Sequence, residues 1–342
     1  MSENRNRTLD FLKGIFIIFV IALHFPFAND LGHRLLFPFW VEFAVPGFLF
    51  ISGYVYALSY KKHGIDKFED MYAGKDLFIK CLRFIIPFTI AFIAEQILFR
   101  VFDIYTVGIV TYGLRALFFD YLRGGIGMGS YYFPLMIQFI FLFPLIYNYV
   151  QRKGFKAVTN IFIVNIIYEI LKQVLWMEEY QYRLLIFRYM FIIAFGCYAC
   201  LCKKEEEDKL YKGFIEGVFA LGVFFVILFS YTPYEPKIFT FWSTTSAPAT
   251  LYIAPIMFLI VKKVKLNFKP LEYVGKASFD IFLVQMVYFV LYEDFLKDKY
   301  FGGFNDALGF ALTVIICVIL GMLLWLFENK LIFSNIKRRI LL

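Results

Sequence analysis

Repeated apolar runs, each long enough to cross a bilayer, constrain this chain more than any other feature. A lipid-crossing helix takes about 20 residues, because its backbone polar groups must be satisfied within the segment. Ten such runs are found, at 11–28, 35–60, 77–99, 131–149, 157–176, 183–201, 213–231, 247–263, 273–293 and 307–333. With 61% of the 342 residues hydrophobic and 22% aromatic, little chain is left to fold in water. The expected fold class is therefore all-α, a polytopic membrane protein of about ten transmembrane helices in one bundle, with residues 1–342 forming a single transmembrane domain. The segment 104–124 carries Arg115, Asp120 and Arg123 among aromatic residues and reads as an interfacial or re-entrant piece on the outer face.

Charge supplies the orientation. The net charge is +8, yet no basic stripe accompanies a nucleic-acid-reading motif, so no nucleic-acid partner is expected. The basic residues divide unevenly between alternate connections. Of the 35 Lys and Arg, 25 fall on the set that includes the N-terminus and 10 on the other. Basic residues gather on cytoplasmic loops, which places both termini in the cytoplasm. No small-residue cleavage site follows the first run, which is expected to stay as an anchor. The five cysteines, CYACLC at 197–202 included, lie in or beside apolar runs and lack a second Cys/His pair nearby. Neither a metal site nor a disulfide framework is expected from them.

The first run, RTLDFLKGIFIIFVIALHF, holds polar groups that membrane helices usually avoid. Lys13 and His24 are eleven residues apart, about 20° past three full turns and about 16 Å along the axis. They share one stripe, with Lys13 near the cytoplasmic mouth and His24 beyond the bilayer middle. Lys13 is either a snorkelling anchor or the start of a path. His24 either bonds across helices or acts as a general acid or base near neutral pH. Lys80 and Arg83 stand i, i+3 at the cytoplasmic end of the third run, where two cations could grip phosphates. In the second run Pro46, Gly47 and Gly53 permit a kink and close packing. There Glu42 is an ionisable group near the outer end, and Ser52 could bond locally or line a cavity.

Four stretches together resemble the acyltransferase-3 family of integral membrane acyltransferases. RNRTLDFLKGIFIIFVIALH is similar to the family's opening, with Leu9-Asp10, Lys13-Gly14, and ten residues between Lys13 and His24. VPGFLFISGY resembles the second-helix signature ending Ser-Gly-aromatic. KCLRFIIP resembles a basic-x-x-basic-x-x-x-Pro segment, and LEYVGKASFDIFLVQ resembles a late region represented here by Gly275 and Ser278. The sequence departs from the pattern at Gln285, where the last signature often has His, and at Pro46, where an acidic residue is common.

The resemblance implies transfer of an acyl group, usually acetyl from acetyl-CoA, to a hydroxyl of a cell-envelope glycan facing away from the cytoplasm. The acyl-CoA phosphates would dock at Lys80 and Arg83. The thioester would pass Lys13 and reach His24, which would act as general base or carry the acetyl group itself. Ser52 would donate to the developing oxyanion, with Glu42 and Gln285 as further substrate contacts. The implied setting is the cell membrane, a bacterial cytoplasmic membrane, with lipid bilayer, acyl-CoA and glycan acceptor as partners. With only a short tail after Leu331, no added esterase-like domain is expected. A transporter or flippase of a lipid-linked saccharide is the competing reading from another class. Against it, no paired broken segments stand in matching halves. A glycan polymerase would need a long outer loop, and none is evident.

Overall fold

A computed structural model describes residues 7–28, 30–102, 113–211, 214–233, 247–301 and 306–333. Among them the chain is helical, with no strand. The longer helices are, in order, α1 Arg7–His24, α2 Ala44–His63, α3 Gly74–Val101, α4 Leu114–Arg123, α5 Tyr132–Lys153 and α6 Phe155–Val174. They continue with α7 Met190–Leu201, α8 Phe214–Tyr231, α9 Ile253–Lys263, α10 Lys269–Lys276, α11 Ser278–Leu291 and α12 Asp306–Phe327. The expected interfacial piece at 104–124 lies partly outside the described residues; its described part contains the helix α4.

Among the described residues, five helical segments are long and apolar enough to cross a membrane. They are Phe37–His63, Phe68–Val101, Tyr132–Lys153, Phe155–Val174 and Asp306–Lys330. A sixth arises if α10 and α11, which meet at a 69° bend, form one span. The protein is thus a polytopic, multi-pass helical membrane protein; among the described residues, length and composition support five or six of the ten expected crossings. The differences have local causes. α1 has Arg7, Asp10 and Lys13 within 18 residues. The helices over 186–201 and 215–231 are apolar but short. The run at 247–263 is broken at Leu251–Tyr252, and α9 has 11 residues, about 16 Å of a hydrocarbon layer about 30 Å thick.

Two compact units make up the chain, each drawn from separated stretches. One comprises Met1–Gly32, Cys81–Pro134 and Asn267–Leu342; the other comprises His33–Lys80 and Leu135–Leu266. In the first, α1 lies along α10 in backbone contact. A Cβ on Gly14 would strike the carbonyl of Leu271, and one on Gly275 would strike the carbonyl of Asp10. Only glycine lets two helices approach so closely. α10 carries Lys269, Glu272 and Lys276 and precedes the apolar run of α11, lying outside it. α3 joins the same core: Phe99 packs with Val290, Val287 and Ile126, and Phe88 stacks on Phe133 at 3.7 Å between ring centroids.

The second unit is built on α2 against α7, again through glycine. A Cβ on Gly53 would strike the Ile193 carbonyl, and one on Gly196 that of Phe50. Its interior is aromatic, with Tyr56, Tyr60, Phe139, Phe143 and Tyr147 in successive edge and tilted contacts.

Candidate active site

α1 places the first two candidates on one continuous helix. Lys13 does not stand alone: its Nζ lies 3.6 Å from Oδ1 of Asp10, one turn earlier, and Asp10 is buried. The motif Asp-x-x-Lys-Gly therefore couples an ion pair to the glycine contact with α10. His24 is the last residue of α1; beyond it Phe25 still donates its N–H to the Ile21 carbonyl, and Pro26 follows.

The His24 ring faces α11 and the connection that follows α4. Its centroid is 6.0 Å from that of Phe289, at 56°. A Cβ on Gly129 would lie 3.7 Å from His24 Nε2 and 3.0 Å from Phe282 Cε2. The segment GGIGMGS at 124–130 thus passes its backbone between the imidazole and α11. Gly124 ends α4 in the left-handed conformation, its N–H on the Tyr121 carbonyl. Gln285, fully buried, turns its Nε2 to the Met128 carbonyl at 3.4 Å. At the position where the family often has His, this chain has a side chain that holds the loop.

The loop's other support was not legible as a site residue. Glu95, in the apolar stretch AFIAEQILFR of α3, is 2% exposed. Its Oε1 accepts the N–H of Ile126 at 3.1 Å and of Gly127 at 2.9 Å. The signal that points to it is a carboxylate inside an apolar run, which is costly unless it serves a specific partner. Asp280 and Glu328 are two more buried carboxylates in this unit.

The remaining candidates divide between the units. Arg83 is exposed on α3, and Pro87, which has no N–H to give the Arg83 carbonyl, stands one turn later. Lys80, at the edge of the second unit, sets its Nζ over the rings of Tyr60 and Tyr56, 4.7 and 5.5 Å from their centroids. Within the second unit, Ser52 Oγ donates to the Phe48 carbonyl at 2.9 Å. To donate to an oxyanion, Ser52 would have to release that bond. Glu42 lies within electrostatic reach of His33 and Tyr252. His33 Nε2 in turn meets the Ser230 carbonyl oxygen at 2.6 Å.

Lys172 and Arg188, two of the ten basic residues counted on the outer set of connections, are both buried rather than loop charges in water. Lys172 Nζ and Arg188 Cζ sit over Tyr182, 4.1 and 4.9 Å from its ring centroid, and the Tyr182 hydroxyl donates to buried Glu169. Charges taken out of water need such partners, and the spacing of a loop does not reveal them. Among the described residues no group of three or more His, Cys, Asp or Glu is placed to hold a metal.

Neither a curated protein nor a solved structure matches the chain. A family model does: the one described as an acyltransferase domain covers residues 6–326, nearly the whole length. With the Lys13–His24 helix, the α3 basic pair and the Gly275 contact falling inside that match, the chain belongs to the acyltransferase-3 family of integral membrane acyltransferases.

Proposed function

We propose that this membrane acyltransferase is an O-acyltransferase that takes an acetyl or other short acyl group from cytoplasmic acyl-CoA. The acceptor is a hydroxyl of an extracytoplasmic cell-surface glycan or lipid-linked sugar. The observation that carries the reading is His24, an imidazole ending the apolar helix α1 and bordered by Gly129 and Phe289. Such a setting suits a group that exchanges protons with a reacting hydroxyl near neutral pH.

The chemistry balances without a cofactor. In direct transfer, His24 takes the hydroxyl proton while the oxygen attacks the thioester carbonyl; the carbon–sulfur bond breaks, and the imidazolium returns the proton to the leaving thiolate. In the covalent route the imidazole attacks first, the thiol leaves, and the hydroxyl then takes the acetyl group from the ring. Both routes use the same His24 position. Lys80 and Arg83, one turn apart on α3, supply charge for the CoA phosphates, Arg83 through its bidentate fork. Lys13, held by Asp10, supplies positive charge on the stripe leading to His24. Glu42, Ser52 and Gln285 are assigned to the acceptor side.

The test is transfer from acetyl-CoA by purified protein in detergent, with no ion gradient, alongside mass analysis of surface glycan from cells lacking the gene. Wild type should consume the thioester and the deletion should lose an ester mass. His24→Ala should accumulate normally in the membrane yet lose transfer by about a hundredfold or more. Substantial ester on the glycan of His24→Ala cells would leave the imidazole structural and remove this mechanism.

A further inference from the structure

The loop GGIGMGS is clamped from two sides within the first unit. On one side Glu95 accepts two successive N–H groups, those of Ile126 and Gly127. Gly125, at φ +94°, lets the chain pass the carboxylate; a Cβ there would stand 2.9 Å from Glu95 Oε2. On the other side Gln285 bonds the Met128 carbonyl, and a Cβ on Gly127 would crowd the Met286 carbonyl. Between these two anchors and Tyr132, whose ring packs on Phe282 at 5.1 Å, Gly129 runs past His24 at φ +87°. A buried carboxylate is an expensive way to hold two backbone donors, and tight glycine turns are costly to order. Their combination beside the imidazole indicates that the loop's position is itself the object.

We propose that Glu95 is a positioning residue for acyl transfer. It fixes the 124–130 loop against α11 and so sets the clearance between the Gly129 backbone and His24 Nε2, where hydroxyl and thioester must meet. Glu95 touches neither reactant. It acts through the loop, and a displacement of about 1 Å at the reacting atoms is enough to lower turnover by about a hundredfold. The inference rests on His24 as the reacting group.

Three variants test it, Glu95→Leu, Glu95→Gln and Gly129→Ala, each read in two ways. The first reading is steady-state transfer from acetyl-CoA. The second is the rate at which diethyl pyrocarbonate modifies His24, followed by peptide mass spectrometry, which needs no turnover. Glu95→Leu should lower kcat by about a hundredfold with KM for acetyl-CoA unchanged, and should speed His24 modification because the loop no longer holds its place. Glu95→Gln, whose Oε1 accepts the same two N–H groups, should restore most of kcat and the slow modification. Gly129→Ala should lower kcat and slow modification, its methyl standing beside Nε2.

A folded Glu95→Leu protein with wild-type kcat and wild-type modification overturns the proposal. So does Glu95→Gln behaving as Glu95→Leu does, since charge and not loop position would then be the requirement. If Glu95→Leu does not fold, wild-type values for both readings in Gly129→Ala overturn it. A wild-type protein that transfers no acetyl overturns the function proposed above, and the catalytic purpose of the clamp with it. The modification rates would still decide whether Glu95 sets the cover over His24.

Discussion

Glu272 meets Arg7 through three hydrogen bonds: Arg7 Nε lies 3.1 and 2.9 Å from the two carboxylate oxygens, and Nη2 lies 2.8 Å from Oε1. These bonds hold the Glu272 carboxyl below the usual carboxylate range, against the opposing effect of desolvation. A depressed folded-state value means stability that is present above the unfolded value, about 4.3 for Glu, and lost as pH falls through the lowered folded value. Wild type should therefore lose melting temperature on acidification below about pH 4.3, while Glu272→Gln should lack that part of the loss and melt lower than wild type at pH 7. Arg7's side chain is 53% exposed, so added salt should shrink the difference. Parallel pH profiles for the two proteins would show that the pair contributes nothing to α1 docking. At this scale the sequence was informative unevenly. Lys13 and His24 stood out because charged and titratable groups in an apolar run are conspicuous. Glu95 was equally conspicuous as a residue, but the two N–H groups that give it a purpose lie 31 and 32 residues further along the chain.

Helix contacts explain what the glycine motifs are for. Gly14 and Gly275 belong to the stretches that resemble the family, and the spacing alone does not say why a glycine is wanted. The structure does: a Cβ on Gly275 would strike the Asp10 carbonyl and stand 2.9 Å from Gly14 N, and backbone cannot move aside as a flexible side chain can. Gly275→Ala should destabilise the protein by about 1–3 kcal/mol, read as a lower thermal midpoint in detergent. Gly217, inside α8 with no atom within 4 Å of an added Cβ, is the matched control. Gly217→Ala should be neutral or gain up to about 1 kcal/mol from helix propensity. Equal midpoints for Gly275→Ala and wild type would mean that α1 and α10 are not in backbone contact. Helix positions were legible because apolar runs of bilayer length declare themselves. Their breaks were not. The 69° bend between α10 and α11 falls at Ala277, whose N–H bonds back to the Tyr273 and Val274 carbonyls. No proline or glycine at that residue announces the turn, and a hydropathy window averages across it.

The whole molecule poses a transport problem, because the proposed donor and acceptor lie on opposite faces of the membrane. Two sequence observations argue for a two-sided enzyme: the division of basic residues, 25 against 10, and the position of His24 about 16 Å along α1 from Lys13. Cysteine accessibility tests the map directly. Lys75 and Asp30 are exposed, whereas Cys81, Cys197, Cys202 and Cys317 are buried and Cys200 partly so. In a background with the native cysteines replaced, Lys75→Cys should react with an impermeant thiol reagent only from the cytoplasmic side, and Asp30→Cys only from the other. Proteoliposomes with the termini facing inward and acetyl-CoA sealed inside should then acylate a glycan supplied outside. Labelling of both cysteines from one side would break the alternation on which the orientation rests. Correct labelling combined with transfer only when donor and acceptor share a compartment would leave an acyltransferase that works on one face. His24 would then have to be reached by both substrates from the same side, and the stripe from Lys13 would be a support for α1 rather than a route for the thioester.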